Sequence, residues 1–311
     1  MLYRVEMPGD DHGAAVRAAV ASWLEHPALH RIVEAEGGAW PAGSLLDRAR
    51  MLHEFSARWD RRSGAERLNM APGDIAMDID ELMDSAGQLG LTVAARPTGS
   101  VYDHGLTLGG TALASIFRVK HLLGLRDSGV EMKAIGILTA LRDVGVEERA
   151  LVAQHPDLSG LAEPKSEFDV MVAAAAHFTG EQTQVDRVDD DNPCMRSATA
   201  RVNGAVVLAA PSGDPSRRAN TFDNYTVYRE RVACGDRVLI VTSSIYLPYQ
   251  FFIALQALGW RQPLTVEAVG FPPEWMQGVL TGPANVLQEL RSGLFAAVRT
   301  LEAVRDNGLA A

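Results

Sequence analysis

Arg237-Val-Leu-Ile-Val-Thr-Ser-Ser-Ile-Tyr-Leu-Pro-Tyr249 is the stretch that decides the fold. An unbroken aliphatic run stops at Thr-Ser-Ser, and Pro248 suits the first turn of a following helix. The pattern predicts a buried strand over 237–242 feeding a helix over 247–258. A strand apolar on both faces belongs inside a parallel sheet. Just upstream, Arg218-Ala-Asn-Thr-Phe-Asp-Asn224 reads as a helix start. Asn220 or Thr221 can cap it, and Asp223 in the first turn favours the helix dipole. In a parallel sheet such points converge on the crevice outside the carboxyl ends of the strands, where small ligands bind.

The same alternation extends outward. Tyr102 to Leu108 is a short strand ending in Gly109-Gly110, followed by a helix over 111–125. Met132 to Ala140 is a second strand, and Glu167 to Phe178 a helix started by Pro164 or Ser166. Arg196 to Ala209 reads as two strands joined by Asn203-Gly204, a two-residue hairpin signal. Thr221 to Val232 is helical, Leu264 to Val269 a fourth core strand, and 282–307 a long amphipathic helix. Strands alternating with helices from 101 to 270 predict an α/β fold: a Rossmann-like, mainly parallel sheet with helices on both faces. Residues 10–93 are helical in pattern instead. Leu45, Leu46, Ala49, Leu52, Phe55 and Trp59 form a stripe at three- and four-residue steps. Another helix follows Pro72-Gly-Asp74, with Asp74 as its cap and Gly90 as its stop. The expected division is therefore an N-terminal helical cap over 1–97 and a Rossmann-like domain over 98–311.

Composition narrows the classes. The chain has 311 residues, 47% of them hydrophobic and 22% charged, which suits a globular protein. No apolar run approaches the roughly 20 residues of a membrane span, and the first residues carry no signal-peptide core, so the expectation is a cytoplasmic protein with no membrane partner. Cys194 and Cys234 make no disulfide framework, and the scattered histidines argue against a zinc enzyme. With 39 acids against 29 bases the net charge is −10, which disfavours broad nucleic-acid binding. An arginine cluster at Arg58, Arg61, Arg62 and Arg67 leaves a tRNA partner open, and a solvated helix end is its alternative reading. Asp186-Arg-Val-Asp-Asp-Asp-Asn192 reads either as oxygen ligands for Mg²⁺ or Ca²⁺ or as a solvated loop, and no metal is expected.

Candidate chemistry collects at the strand ends. Gly109, Gly110 and Thr111 suit either a bound phosphate or carboxylate or simply tight helix–strand packing. Arg217 and Arg218, ahead of a helix N-terminus with Asn220, Thr221 and Asn224, would make a strong anion site. Ser243 and Ser244 lack a nucleophile elbow and instead read as ligand-binding hydroxyls. Tyr246 and Glu167 are the candidates for proton transfer, with helix capping as the alternative for Glu167. His104 reads as a hydrogen-bonded structural histidine or as a site residue.

Three of these segments carry a resemblance. Leu106 to Gly110, Ala219 to Asn224 and Val238 to Pro248 are similar, in order and spacing, to motifs of the YdcF/SanA/ElyC-like family. The resemblance covers roughly 101–270. Asp223 stands where that family has Glu, and Tyr246 and Tyr249 where it has His and Arg. It implies a Rossmann-like fold with a pocket at the strand ends, and for one branch a bound S-adenosylmethionine. The functional expectation is a small-molecule enzyme, a transferase binding a nucleotide-like or anionic ligand. A non-catalytic small-molecule-binding or regulatory protein and an aminoacyl-tRNA-dependent enzyme are the alternatives.

Overall fold

Asp11, Ser44 and Asp78 each start a helix by accepting backbone N–H groups that the first turn cannot satisfy itself. The computed structural model describes residues 2–9, 11–61, 74–155, 164–180, 184–259, 263–276 and 278–308. In chain order the N-terminal part runs β1 (Arg4–Met7), α1 (His12–Leu24), α2 (Pro27–Ala35), α3 (Leu45–Phe55) and α4 (Ile79–Gln88). Then come β2 (Val101–Leu108), α5 (Ala112–Asp127), β3 (Glu131–Thr139), α6 (Val146–Gln154), α7 (Glu167–Thr179), β4 (Gln184–Val188), β5 (Ser197–Val202), β6 (Ala205–Ala209) and α8 (Thr221–Tyr228). The chain closes with β7 (Arg237–Ser243), α9 (Leu247–Leu258), β8 (Leu264–Phe271) and α10 (Pro283–Asp306). The protein is of the α/β class, and no helix among the described residues is long and apolar enough to cross a membrane.

Two compact units divide the chain: Pro97–Thr242, and Met1–Arg96 together with Ser243–Ala311. In Pro97–Thr242 the strands run in the order β7-β2-β3-β6-β5-β4. Pairs β7–β2, β2–β3 and β3–β6 are parallel, while β6–β5 and β5–β4 are antiparallel. The chain fills one side of β2 with β3 and β6 and then crosses to its other side with β7. That reversal is the topological switch of a Rossmann-like order. Ile135, Ile137, Val207, Val238 and Val241 are all buried, which explains why these strands read as unbroken apolar runs. Asn203 (φ 45°) and Gly204 (φ 74°) make the left-handed hairpin turn between β5 and β6.

The other unit packs α10 against α1, α3, α4 and α9, and pairs β1 with β8 antiparallel. Trp23 meets Phe252 edge-on at 5.4 Å. Gly293 permits the close approach of α10, because a Cβ there would lie 2.9 Å from Pro248 and 3.1 Å from Trp23.

The division differs from the expected cut after residue 97. The first boundary falls beside it, but residues 243–311 join the N-terminal helices instead of the parallel strands. The physical reason is the apolar face of α10, with Val286, Leu290, Leu294 and Leu301 buried against those helices. A second difference lies at α4. Asp78, not Asp74, is its cap, accepting from the N–H groups of Asp80 and Glu81. Asp74 instead gives its carbonyl to Arg61, and Pro72 and Gly73 lie outside the described residues.

Candidate functional site

In Pro97–Thr242 the turn after β2 is built from buried polar groups that satisfy one another. The Gly109 N–H donates to the Leu138 carbonyl, and the Gly110 N–H to Ser115 Oγ. Arg118, 2% exposed, donates to the carbonyls of Leu108 and Gly109. Arg142 donates to the Gly110 carbonyl at 2.7 Å, to Glu148 at 3.1 Å and to Glu167 at 3.2 Å. Burial works against the charge of Arg142, but the two glutamates more than offset it. Glu167 Oε1 also accepts from Thr139 Oγ1 and the Ala140 N–H. A Cβ on Gly109 would lie 1.9 Å from that oxygen, so glycine is needed there to seat the glutamate. Thr111 Oγ1 is buried without a hydrogen-bond partner, although Thr111 sits at the cap position of α5.

At the start of α8 the same closure recurs. Arg217 forms a two-pronged pair with Asp223 at 2.6 and 3.1 Å. Asp223 also accepts from the N–H groups of Asn220 and Gly213. Burial pushes its carboxyl up, but Arg217 and those two N–H donors outweigh burial and hold it below the usual carboxylate range. Asn220 caps the helix, and Asn224 takes the Ala210 N–H and donates to the Asn220 carbonyl. Thr221 is the first helical residue, and Arg218, three residues ahead of it, is exposed.

Other singled-out residues are equally engaged. His104 bridges Tyr228 at 3.1 Å and Asp236 at 2.8 Å, and burial pushes the Tyr228 hydroxyl up to about 12. Asp186 lies in β4, and Asp190 accepts from the Asn192 N–H. Arg58 donates to the Glu36 carbonyl over the Phe55 ring, while Arg62 and Arg67 fall outside the described residues. His26 and His30 do stand four apart, but His26 caps α2 and His30 stacks on Trp40 at 3.3 Å. No group of His, Cys, Asp and Glu among the described residues could hold a metal ion.

Ser243, Ser244 and Tyr246 have different surroundings. They belong to the unit Met1–Arg96 with Ser243–Ala311, where they line a cavity of about 430 Å³. Ser243 ends β7, and a 3-10 turn over Ser244–Tyr246 leads into α9. Gly270 allows this close approach, since a Cβ there would lie 2.4 Å from Ser244 Cα. Ser244 Oγ then donates to the Phe271 carbonyl at 2.8 Å. Met83, Leu91, Ile245, Phe271, Met276 and Val279 supply apolar wall. Thr92 and Thr281 add hydroxyls, and Glu274 a carboxylate. Leu280, also in the wall, has φ 57°, a left-handed conformation that a bulky side chain rarely adopts. The volume lies within the roughly 300–1,000 Å³ of small-molecule sites, which are likewise apolar with a few placed polar groups.

Sequence reasoning missed Glu274 and Leu280. The signal was Phe271-Pro-Pro-Glu-Trp-Met276, where aromatic and Met residues follow a strand end in a segment too Pro-rich to extend it.

The strand order of Pro97–Thr242 defines an α/β protein of Rossmann-like topology, and the other unit holds a small-molecule-sized cavity lined by Ser243 and the carboxyl end of β8. Residues 7–90 match the family described as the Rv3785 N-terminal domain. The chain is 30% identical to the uncharacterized protein Rv3785 of Mycobacterium tuberculosis, over 96% of this chain and 92% of that one. The uncharacterized protein Mb3814 of Mycobacterium bovis matches to the same extent. The chain belongs to the Rv3785 family. No solved structure matches it.

Proposed function

We propose that this protein is a cytoplasmic small-molecule-binding enzyme whose ligand occupies the cavity beside Ser243, Ser244 and Tyr246. The observation that carries the reading is the cavity itself, about 430 Å³ beside the carboxyl end of β8, with hydroxyls set in an apolar wall. Tyr246 is the candidate for proton transfer, because it is among the residues lining the space a substrate would fill. The reaction class, a transferase, and S-adenosylmethionine as cofactor rest on the resemblance to the YdcF/SanA/ElyC-like family alone.

An anionic or nucleotide-like ligand at Gly109, Gly110, Thr111 and Arg217 is a second reading. The unpartnered Thr111 hydroxyl at the start of α5 favours it. Against it stand the N–H groups of Gly109 and Gly110 and the guanidinium of Arg217, all committed within the protein. A non-catalytic binding protein would use the same cavity without turnover. Among the described residues no structural feature favours an aminoacyl-tRNA-dependent enzyme.

Mass spectrometry of small molecules released from freshly purified protein tests the proposal. The expected result is a stoichiometric compound in the wild type that is lost from Thr281→Trp, a variant that fills the cavity from its rim. A compound retained by Thr281→Trp but lost from Thr111→Val would move the ligand to the second site.

A further inference from the structure

The chemistry of the cavity wall selects among ligands. Among the described residues Glu274 contributes the one carboxylate of the wall, and no Lys, Arg or His lines the space. Glu274 is exposed and makes no ion pair with another described residue. An anionic ligand would approach that carboxylate with no cation among the described wall residues to neutralise it. Tyr246 and Phe271 also line the cavity, and Phe271 stacks on Trp275 at 5.6 Å with an interplanar angle of 16°. Aromatic faces attract organic cations through their quadrupoles, and a nearby carboxylate adds a full charge of the right sign. The apolar part of the wall, with Met83, Leu91, Ile245 and Met276, suits a hydrocarbon body.

We infer that the cavity takes an organic cation, a protonated or quaternary amine, carried on an apolar body. This rests on the reading of the cavity as the ligand site and narrows it. Glu274 would meet the cationic head at the mouth, where the glutamate is exposed, and the apolar wall would take the body. Such a ligand differs in charge from the phosphate or carboxylate expected at the glycine turn of the other unit.

Titration calorimetry with octylamine, octanol and octanoate, at one chain length and pH 7, separates the two layers of the argument. Octanol binding reports the cavity, and the order of the three reports its charge preference. The expected order is octylamine over octanol by about tenfold, with octanoate weakest. In Glu274→Gln the advantage of the amine should shrink severalfold while octanol binding holds. Octanoate binding as tightly as octylamine, or an order unchanged in Glu274→Gln, would overturn the inference and leave the cavity standing. Failure of all three ligands to bind would overturn both.

Discussion

The unit Pro97–Thr242 and the unit built from the two chain ends each carry a concentration of polar residues at strand ends, and they use it in opposite ways. In the first, Arg142, Glu167, Asp223 and Arg217 are buried or half-buried and answer one another. In the second, Ser243, Ser244 and Tyr246 sit in the wall of a cavity, with Glu274 at its mouth. A charged residue at a strand end therefore does not by itself mark a site. What distinguishes the regions is whether the hydrogen-bonding capacity is spent inside the protein. The first region should govern stability and the second binding.

The largest effect is expected at Glu167. Replacing it with Ala leaves Thr139 Oγ1 and the Ala140 N–H without their acceptor and costs Arg142 one of its two carboxylates. Urea unfolding should show a loss of about 2–4 kcal/mol, because removing one member of a buried pair leaves the other uncompensated. Gly109→Ala should cost somewhat less, about 1–3 kcal/mol, as the glutamate is forced from its seat. Neither change should alter octanol binding to the cavity. A stable Glu167→Ala protein that lost binding would reverse the comparison and return Glu167 to a ligand-facing role.

Asp223 comes next, through pH. Its carboxyl is held below the usual range in the folded protein, so the unfolded chain binds its proton first as pH falls. The stability it contributes is fully present above the unfolded value, about 3.9, and is lost as pH falls through the lower folded value. Wild-type urea midpoints should therefore drop between pH 5 and pH 3, and Asp223→Asn should drop less. An equal drop would deny Asp223 that role. At neutral pH Arg217→Ala should lower stability by only about 1 kcal/mol, since its side chain is 39% exposed and the pair is screened by solvent. The sequence alone cast Arg217 and Arg218 as an anion site. The pair with Asp223 now predicts a stability change for Arg217→Ala with cavity binding untouched.

How much of this could be read in advance follows from what each segment buries. β3, β7, α9 and the hairpin at Asn203-Gly204 were legible because their apolar runs or turn residues have few other uses. β1 was not: Arg-Val-Glu-Met is short and half charged, and it becomes a strand only by pairing with β8. β4, Gln-Val-Asp-Arg-Val, is exposed along its whole length, so its sequence carries no burial signal. α6 has a similar problem, with only Glu148 and Val152 buried. At the sites, residue type was legible and partnership was not. Ser243, Ser244 and Tyr246 could be named as wall residues, but the pairing of Arg217 with Asp223 or of Arg142 with Glu167 depends on tertiary distance.

The smallest effect on stability, and the sharpest contrast, is expected at Leu280. Its left-handed backbone is a cost of roughly 1–3 kcal/mol that some other interaction must offset. Leu280→Gly relieves that cost, but it loosens the unfolded chain and removes part-buried apolar surface, which act the other way. The net change in unfolding free energy should stay within about 1 kcal/mol. Octanol affinity should nevertheless fall about fivefold, the worth of roughly 1 kcal/mol of lost apolar contact in the wall. Stability nearly unchanged with binding weakened is the mirror image of Glu167→Ala. A stability loss above about 3 kcal/mol would instead make Leu280 a core residue whose backbone is held by packing, and the cavity wall would owe its shape to the fold rather than to a ligand.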